Sequence, residues 1–343
     1  MTAFQRNFQR RWPDLRDPHV RALAWLLDAP DLMDAEAPCW SGRIATLGEV
    51  DASVAGWLHE LDRQPQALHQ HLAHQPSARL GRYAEKLLGF YLQQHGQLVA
   101  GNLQVRNDSG SRETLGEFDF LVRRPQTARD ANGVQGLEHW EFATKFYLLE
   151  SDSDRLQSDA FVGPNLADSL GAKMRKIMQQ QLMLSQHPAA QALLPAPVTS
   201  AQALVKGWLF YRHHAMQLPA GLGISAQHCR GFWATVSELQ QRIDTDPHAL
   251  RYLLLPRLSW LAPARVGINA TLSAEELPAV LEQQFQREPA PLMLALCEPL
   301  DAQGERAGDA DASEVMEIER AFIVPDDWQT RAAERVRHAL VRV

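Results

Sequence analysis

Apolar positions recur with a helical period over the first part of this chain and with a strand period in the stretch that follows. In PHVRALAWLLDAPDLM, Val20, Leu23, Leu26 and Leu27 share one helical face, and Pro30 predicts its end. VAGWLHELDRQPQALHQHLAHQP predicts one or two further short helices broken near Pro65, so residues 18–75 read as helical. RLGRYAEKLLGFYLQQHG (79–96) has apolar residues at 80, 83, 84, 87, 88 and 91 and predicts an amphipathic helix ended by Gly96.

Strand patterns come next. QLVAGNLQVRN predicts one strand and GEFDFLVRR (116–124) a second, with Phe118, Phe120 and Val122 on one face and Glu117, Asp119 and Leu121 on the other. A polar loop of hairpin character (126–138) leads to HWEFATKFYLL (139–149). There Trp140, Phe142, Thr144, Phe146 and Leu148 share one face, and Glu141, Ala143, Lys145 and Tyr147 the other. PNLADSLGAKMRKIMQQQLMLSQ (164–186) predicts a helix with Pro164 near its start, and ALVKGWLFYR (203–212) a fourth strand buried on both faces. Beyond residue 213, GFWATVSELQQRI reads as helical, and RYLLLPRLSWLAPARVG and PLMLALCEPL as strands. VMEIERAFIV is a strand able to pair with PLMLALCEPL across the acidic loop DAQGERAGDADASE, and DDWQTRAAERVRHALVRV closes as a helix. No internal repeat or heptad run appears.

These patterns divide the chain into a helical N-terminal extension (1–78), a central αβββαβ core (79–213) and an α+β C-terminal extension packed on that core (214–343). Hydrophobic residues make up 45% and charged residues 22% of the 343, an ordinary globular balance. No apolar run approaches the roughly 20 residues that span a bilayer, and the N-terminus lacks the apolar segment of a secretory signal. The expectation is a cytoplasmic protein with no membrane partner. Cys39, Cys229 and Cys297 form no CxxC pair, which excludes a disulfide framework or zinc ribbon and predicts small buried residues. His69, His71 and His74 have no acidic partner at metal-site spacing and read as a polar face.

The net charge of -7 lends no support to nucleic-acid binding through bulk charge. A local basic groove is still conceivable from Arg79, Arg82 and Lys86, from Arg123 and Arg124, and from Lys173, Arg175 and Lys176, each of which also reads as a solvated face.

Chemistry concentrates in two strands that should be interior. Asp119, Glu141 and Lys145 lie among aromatic and apolar neighbours, and an unpaired buried charge costs several kcal/mol. They must form a salt bridge, bind a cation or line a cleft. Converging carboxylates can hold Mg²⁺ or Mn²⁺, and a lysine beside them can stabilise charge developing on a phosphate. Glu85, at the border of the apolar face of helix 79–96, can point into the same place. Lys173 and Gln180 or Gln181, on the following helix, are candidates to touch substrate. SDSD (151–154) lacks the later ligands and the glycine of a calcium loop. There is no P-loop, no GxGxxG after a strand and no GxSxG elbow.

A helix with Glu, then GEFDF, then a strand with Glu and Lys, then helix and strand, resembles the PD-(D/E)XK nuclease superfamily over residues 79–212. GEFDFLV looks like the segment those proteins carry around the metal-binding aspartate. The resemblance implies a restriction-endonuclease-like fold, with Asp119 as principal metal ligand, Lys145 as catalytic lysine and Glu85 as the helix acid, and Glu141, on the same face as Lys145, is the candidate second ligand. It also implies Mg²⁺ or Mn²⁺ as cofactor and nucleic acid as partner. The sequence departs from that pattern at one place. Two residues before the lysine stands Ala143, and the acid is four before it, about 13 Å along an extended strand. Glu117 is a substitute ligand on the face of Asp119.

VRALAWLLDAP, GRYAEKLLGFYL, HWEFATKFYL, GPNLADSLGAK, KGWLFYR and RLSWLAPAR also resemble the bacterial family catalogued as domain of unknown function 1853. The expectation is a metal-dependent nuclease-like protein hydrolysing phosphodiester bonds of DNA or RNA. The alternative is a non-catalytic member of the fold that binds nucleic acid or protein.

Overall fold

The structure, a computed structural model, describes residues 3–74, 76–107, 113–123, 136–150, 156–212, 218–245, 250–301, 306, 308–309 and 312–341. Four helices come first: α1 (Ala3–Arg11), α2 (Pro18–Asp28), α3 (Ala52–Arg63) and α4 (Gln66–Ala73). Asp17 starts α2, its carboxylate accepting the N–H groups of His19 and Val20, with Pro18 at the first position. The helix stops before Pro30, and every residue from Val20 to Leu27 is buried. The helical pattern of 18–75 is thus realised as α2, α3 and α4, with the break at Pro65 between the last two.

The central succession is α5 (Leu80–Gln94), β1 (Leu98–Arg106), β2 (Thr114–Arg123), β3 (Leu137–Leu149), β4 (Phe161–Val162), α6 (Leu170–Gln179), α7 (Pro188–Gln191) and β5 (Val198–Tyr211). It continues with β6 (Cys229–Thr235), α8 (Val236–Thr245), β7 (Arg251–Leu254), β8 (Arg265–Gly267), α9 (Leu277–Arg287), β9 (Leu292–Leu300), β10 (Glu314–Val324) and α10 (Trp328–Val341).

Among the described residues ten strands form one mixed sheet in the order β1-β2-β3-β5-β6-β10-β9-β7, with β4 beside β3 and β8 beside β10. β1, β2 and β3 are antiparallel, β3, β5, β6 and β10 run parallel, and β9 and β7 return antiparallel. β10 pairs β9 as their patterns predicted. The C-terminal strands therefore extend the sheet that the central strands begin.

A strand inside a parallel sheet is covered on both faces and must be apolar on both. β5 meets that demand except at Lys206: Ala203 to Tyr211 are all buried, and the Lys206 ammonium pairs with Asp31 at 2.8 Å. On one face of β3, Phe142, Phe146 and Leu148 pack with Phe120, Val122 and the buried sides of α2 and α5. On the other, Ala143, Tyr147 and Leu149 pack against Leu170, Met174 and Ile177 of α6.

Four sequence expectations change. The helix expected over 164–186 begins only at Leu170, where Ser169 accepts the N–H of Ala172 as N-cap. Residues 163–168 form a turn, closed by Gly163 N–H to the Asp168 carbonyl with Leu166 at positive φ. After Gln179 the chain tightens into a 3₁₀ helix, Gln181–Gln186. GFWATVSELQQRI begins as β6 rather than as helix, because Phe232, Trp233 and Ala234 are buried on alternate faces between β5 and β10. Strand alternation in β2 breaks at Asp119: Phe118 packs with Leu121 and Leu184, whereas Phe120 and Val122 face α5. Finally, Cys229 and Cys297 are buried as expected but Cys39 is exposed.

Among the described residues, no helix is long and apolar enough to cross a membrane. Arg124, the SDSD segment and most of the loop 126–138 lie outside the described residues.

Candidate functional site

The site forms where β2 leaves β3. Their ladder runs from Arg123↔Leu137 to Phe120↔Trp140 and stops there, one residue short of Asp119 and Glu141. Beyond that point the N–H of Phe142 has no strand partner, and the Asp119 carboxylate accepts it at 2.9 Å. On the other side of Asp119, β1 bends at Asn102, whose φ of 53° is a left-handed value that asparagine tolerates. The Asn102 side-chain oxygen accepts from Arg82 of α5.

Glu141 is only 2% exposed, and its Oε2 meets no donor among the described residues. Its neighbour is the Asp119 carboxylate, within hydrogen-bond reach. Two carboxylates can hydrogen-bond to each other only by sharing a proton. Burial, reinforced by the negative charge of Asp119, pushes the Glu141 carboxyl up to about 9. Burial also raises Asp119, against the Phe142 N–H and the Glu141 hydrogen bond that both favour its anion. The hydrogen bond between them thus favours the protonated form of Glu141 and the anion of Asp119.

Glu141 Oε1 faces α6 and the turn after it. Gln181 Nε2 donates to it, Lys173 Nζ stands 3.8 Å away, and Lys173 also donates to Gln181 Oε1 at 2.9 Å. Burial pulls the Lys173 ammonium below its ordinary value, although Glu141 opposes the shift. On the α5 side, burial and then Asp119 raise Glu85 to about 7, while Arg82 holds it down. Arg82 bridges Glu85 at 2.9 Å and Glu117 at 3.2 Å.

Among the residues singled out from sequence, Asp119, Glu141 and Lys173 come together, and Glu85 and Glu117 sit at the rim on Arg82. Lys145 stands apart from the pair. Its Nζ donates to Asp168 at 3.1 Å, and Tyr147 donates to the same oxygen at 3.0 Å. Lys145 is still near enough to the site for its charge to join burial in lowering the Lys173 ammonium. Gln180 is exposed at the end of α6, and its neighbour Gln181 makes the contact with Glu141.

Sequence reasoning did not reach Asn102, Asp168 or His139. His139 is 0% exposed, neither ring nitrogen has a hydrogen-bond partner among the described residues, and burial pushes its pKa down to about 4. It lies edge-on to Phe118, two residues before Glu141 on β3, as a neutral ring. One signal in the sequence did mark the lysine of the site. Lys173 sits at helical spacing from Leu170 and Ile177, on the apolar stripe of α6, where a solvated lysine has no place.

Fold and site together define a mixed α/β protein with a buried carboxylate pair and a half-buried lysine at a strand divergence. Residues 21–324 match the family described as Domain of unknown function (DUF1853), and the chain belongs to that family. No curated protein and no solved structure matches the chain.

Proposed function

We propose that this chain is a metal-dependent nuclease-like protein that hydrolyses phosphodiester bonds of DNA or RNA. Its core would be restriction-endonuclease-like, comprising α5, β1, β2, β3, α6 and β5. The observation that carries the reading is the buried Asp119–Glu141 pair with Lys173 at 3.8 Å and Glu85 beside it.

The donor set suits a hard cation. Among the described residues no three His, Cys, Asp or Glu side chains converge to hold an ion by themselves. Mg²⁺ usually takes one or two carboxylates and keeps several waters, so Asp119 and Glu141 would be its protein ligands. An ion held there supplies a Lewis acid for a phosphodiester oxygen. The protein's own groups do the rest. Glu141 would have to give up its proton for a cation to bind there. Gln181 fixes the orientation of Glu141, and Lys173 presents positive charge to the phosphate. Glu85, with a pKa of about 7, can take or give a proton near neutrality. Lys173 rather than Lys145 is the cation nearest the pair in this reading.

The test is cleavage of supercoiled and single-stranded nucleic acid in Mn²⁺ or Mg²⁺ by the native protein and by Asp119→Asn and Lys173→Met. Metal-dependent cleavage lost in both variants supports the proposal, and cleavage retained by both overturns it.

A second reading, a non-catalytic nucleic-acid- or protein-binding module, draws on Ala143 in the usual acid position and on Arg82 neutralising both Glu85 and Glu117. Nucleic-acid binding by the native protein without cleavage in either metal would favour it.

A further inference from the structure

Along β3 from the carboxylate pair, a separate cleft of about 290 Å³ opens between the start of α5, the Gly163–Asp168 turn and the segment after β7. Arg79, Lys145 and Arg257 line it, and among its lining residues Asp168 is the sole carboxylate. In a chain of net charge -7 this is a local excess of positive charge. The Arg79 and Arg257 side chains are exposed and form no ion pair with a described residue. Lys145 is bound to Asp168 through one of its three protons, which leaves two to donate.

The main chain adds to this charge. Leu80 and Gly81, the first residues of α5, also line the cleft, and no side chain caps that helix. The free N–H groups of its first turn and the positive end of its dipole therefore face the same space as the three cations. A Cβ built on Gly81 meets nothing within 4 Å, so the helix start is open at that residue. Thr144, another lining residue, has a buried hydroxyl with no partner among the described residues.

We infer that this cleft binds a phosphoryl group, brought either by a free nucleotide or by a nucleic-acid strand. Two guanidinium forks, an ammonium and an uncapped helix start are the donors that phosphate oxygens take, and none of them is an acceptor. The inference does not depend on the carboxylate pair being catalytic, and its test leaves that pair out.

Isothermal titration in EDTA, with adenosine 5′-monophosphate, adenosine and a thymidine hexanucleotide as probes, decides it. Adenosine 5′-monophosphate is expected to bind one to one and adenosine not at all. Arg79→Ala and Arg257→Ala should each weaken binding about tenfold, the worth of one charge-assisted contact. Gly81→Asp should abolish binding while the melting temperature holds or rises, because an acid in the first turn favours the helix. Glu141→Gln should bind as the native protein does, which separates this site from the proposed catalytic one. A hexanucleotide that binds more tightly than the monophosphate identifies a strand as the source, and equal or weaker binding identifies a free nucleotide. No binding of either phosphate-bearing probe, or binding indifferent to Arg79→Ala, Arg257→Ala and Gly81→Asp, overturns the inference.

Discussion

The Asp119 carboxylate accepts the backbone N–H of Phe142 at 2.9 Å, in the gap where β2 leaves β3. One side chain thus does two things: it satisfies an amide that the departing strand leaves open, and it brings a negative charge against Glu141. The two roles separate by mutation. Asp119→Asn keeps an acceptor for Phe142 and can donate to Glu141, whereas Asp119→Ala leaves the amide unpaired. We expect Asp119→Ala to lose about 1–3 kcal/mol in urea unfolding, the cost of an unmade buried hydrogen bond, and Asp119→Asn to lose clearly less. Equal losses would mean that the contact with Phe142 does not hold the strands.

The shared proton makes stability depend on pH. The unfolded chain releases the Glu141 proton near 4.5, the folded chain at about 9. Between those values the native state binds more protons than the unfolded state, so stability falls as pH rises. Glu85, raised from 4.5 to about 7, adds to the same slope in the lower part of the window. The Glu141 contribution, read as the stability of the native protein minus that of Glu141→Gln, should therefore decline from pH 5 to pH 9, whereas His139, held down to about 4, adds a rise of its own below pH 6.5 in both proteins. Denaturant midpoints of the two proteins across this range check it, and a difference that grows with pH would contradict the buried pair.

Lys173 separates binding from chemistry. Lys173→Met removes the cation 3.8 Å from Glu141, so a divalent ion should bind as well as before or better. Any cleavage should fall by about a hundredfold or more, the usual loss when a group stabilising transition-state charge is removed. If cleavage persists in Lys173→Met and vanishes in Lys145→Met, the lysine of β3 holds the role after all.

The C-terminal half has its own buried charge. Arg320 and Glu317, both 0% exposed, pair at 2.6 Å, and Arg320 also donates to the carbonyls of Trp260 and Ala262 beneath the ring of Trp208. Arg320→Met strands the Glu317 carboxylate and should cost about 3–5 kcal/mol. The double variant with Glu317→Leu should recover part of that loss, because it removes the unpaired charge as well. Chemical denaturation of both variants measures this.

The elements around the site were legible because their periods are clean. Helix 79–96 and the strands bearing Asp119 and Glu141 lie within one or two residues of their patterns. Three features were hidden for physical reasons. The break of alternation at Asp119 depends on β2 parting from β3, a relation between strands that one strand's sequence does not contain. The start of α6 was obscured because Leu166 and Leu170 continue a helical spacing across a turn that Leu166 enters at positive φ. The pairing of Lys145 with Asp168 joins residues 23 apart through that same turn. The four-residue spacing from Glu141 to Lys145 marked a departure from the usual acid-x-lysine pattern.

In the proposed function Asp119 and Glu141 give up a proton to take a divalent cation. Isothermal titration of Mn²⁺ into the native protein, Asp119→Asn and Glu141→Gln at pH 7.5, repeated in buffers of different ionisation enthalpy, decides this. The account predicts one site in the native protein, release of about one proton on binding, and loss of that site in both variants. Absence of binding to the native protein, or binding that survives Glu141→Gln, would contradict it.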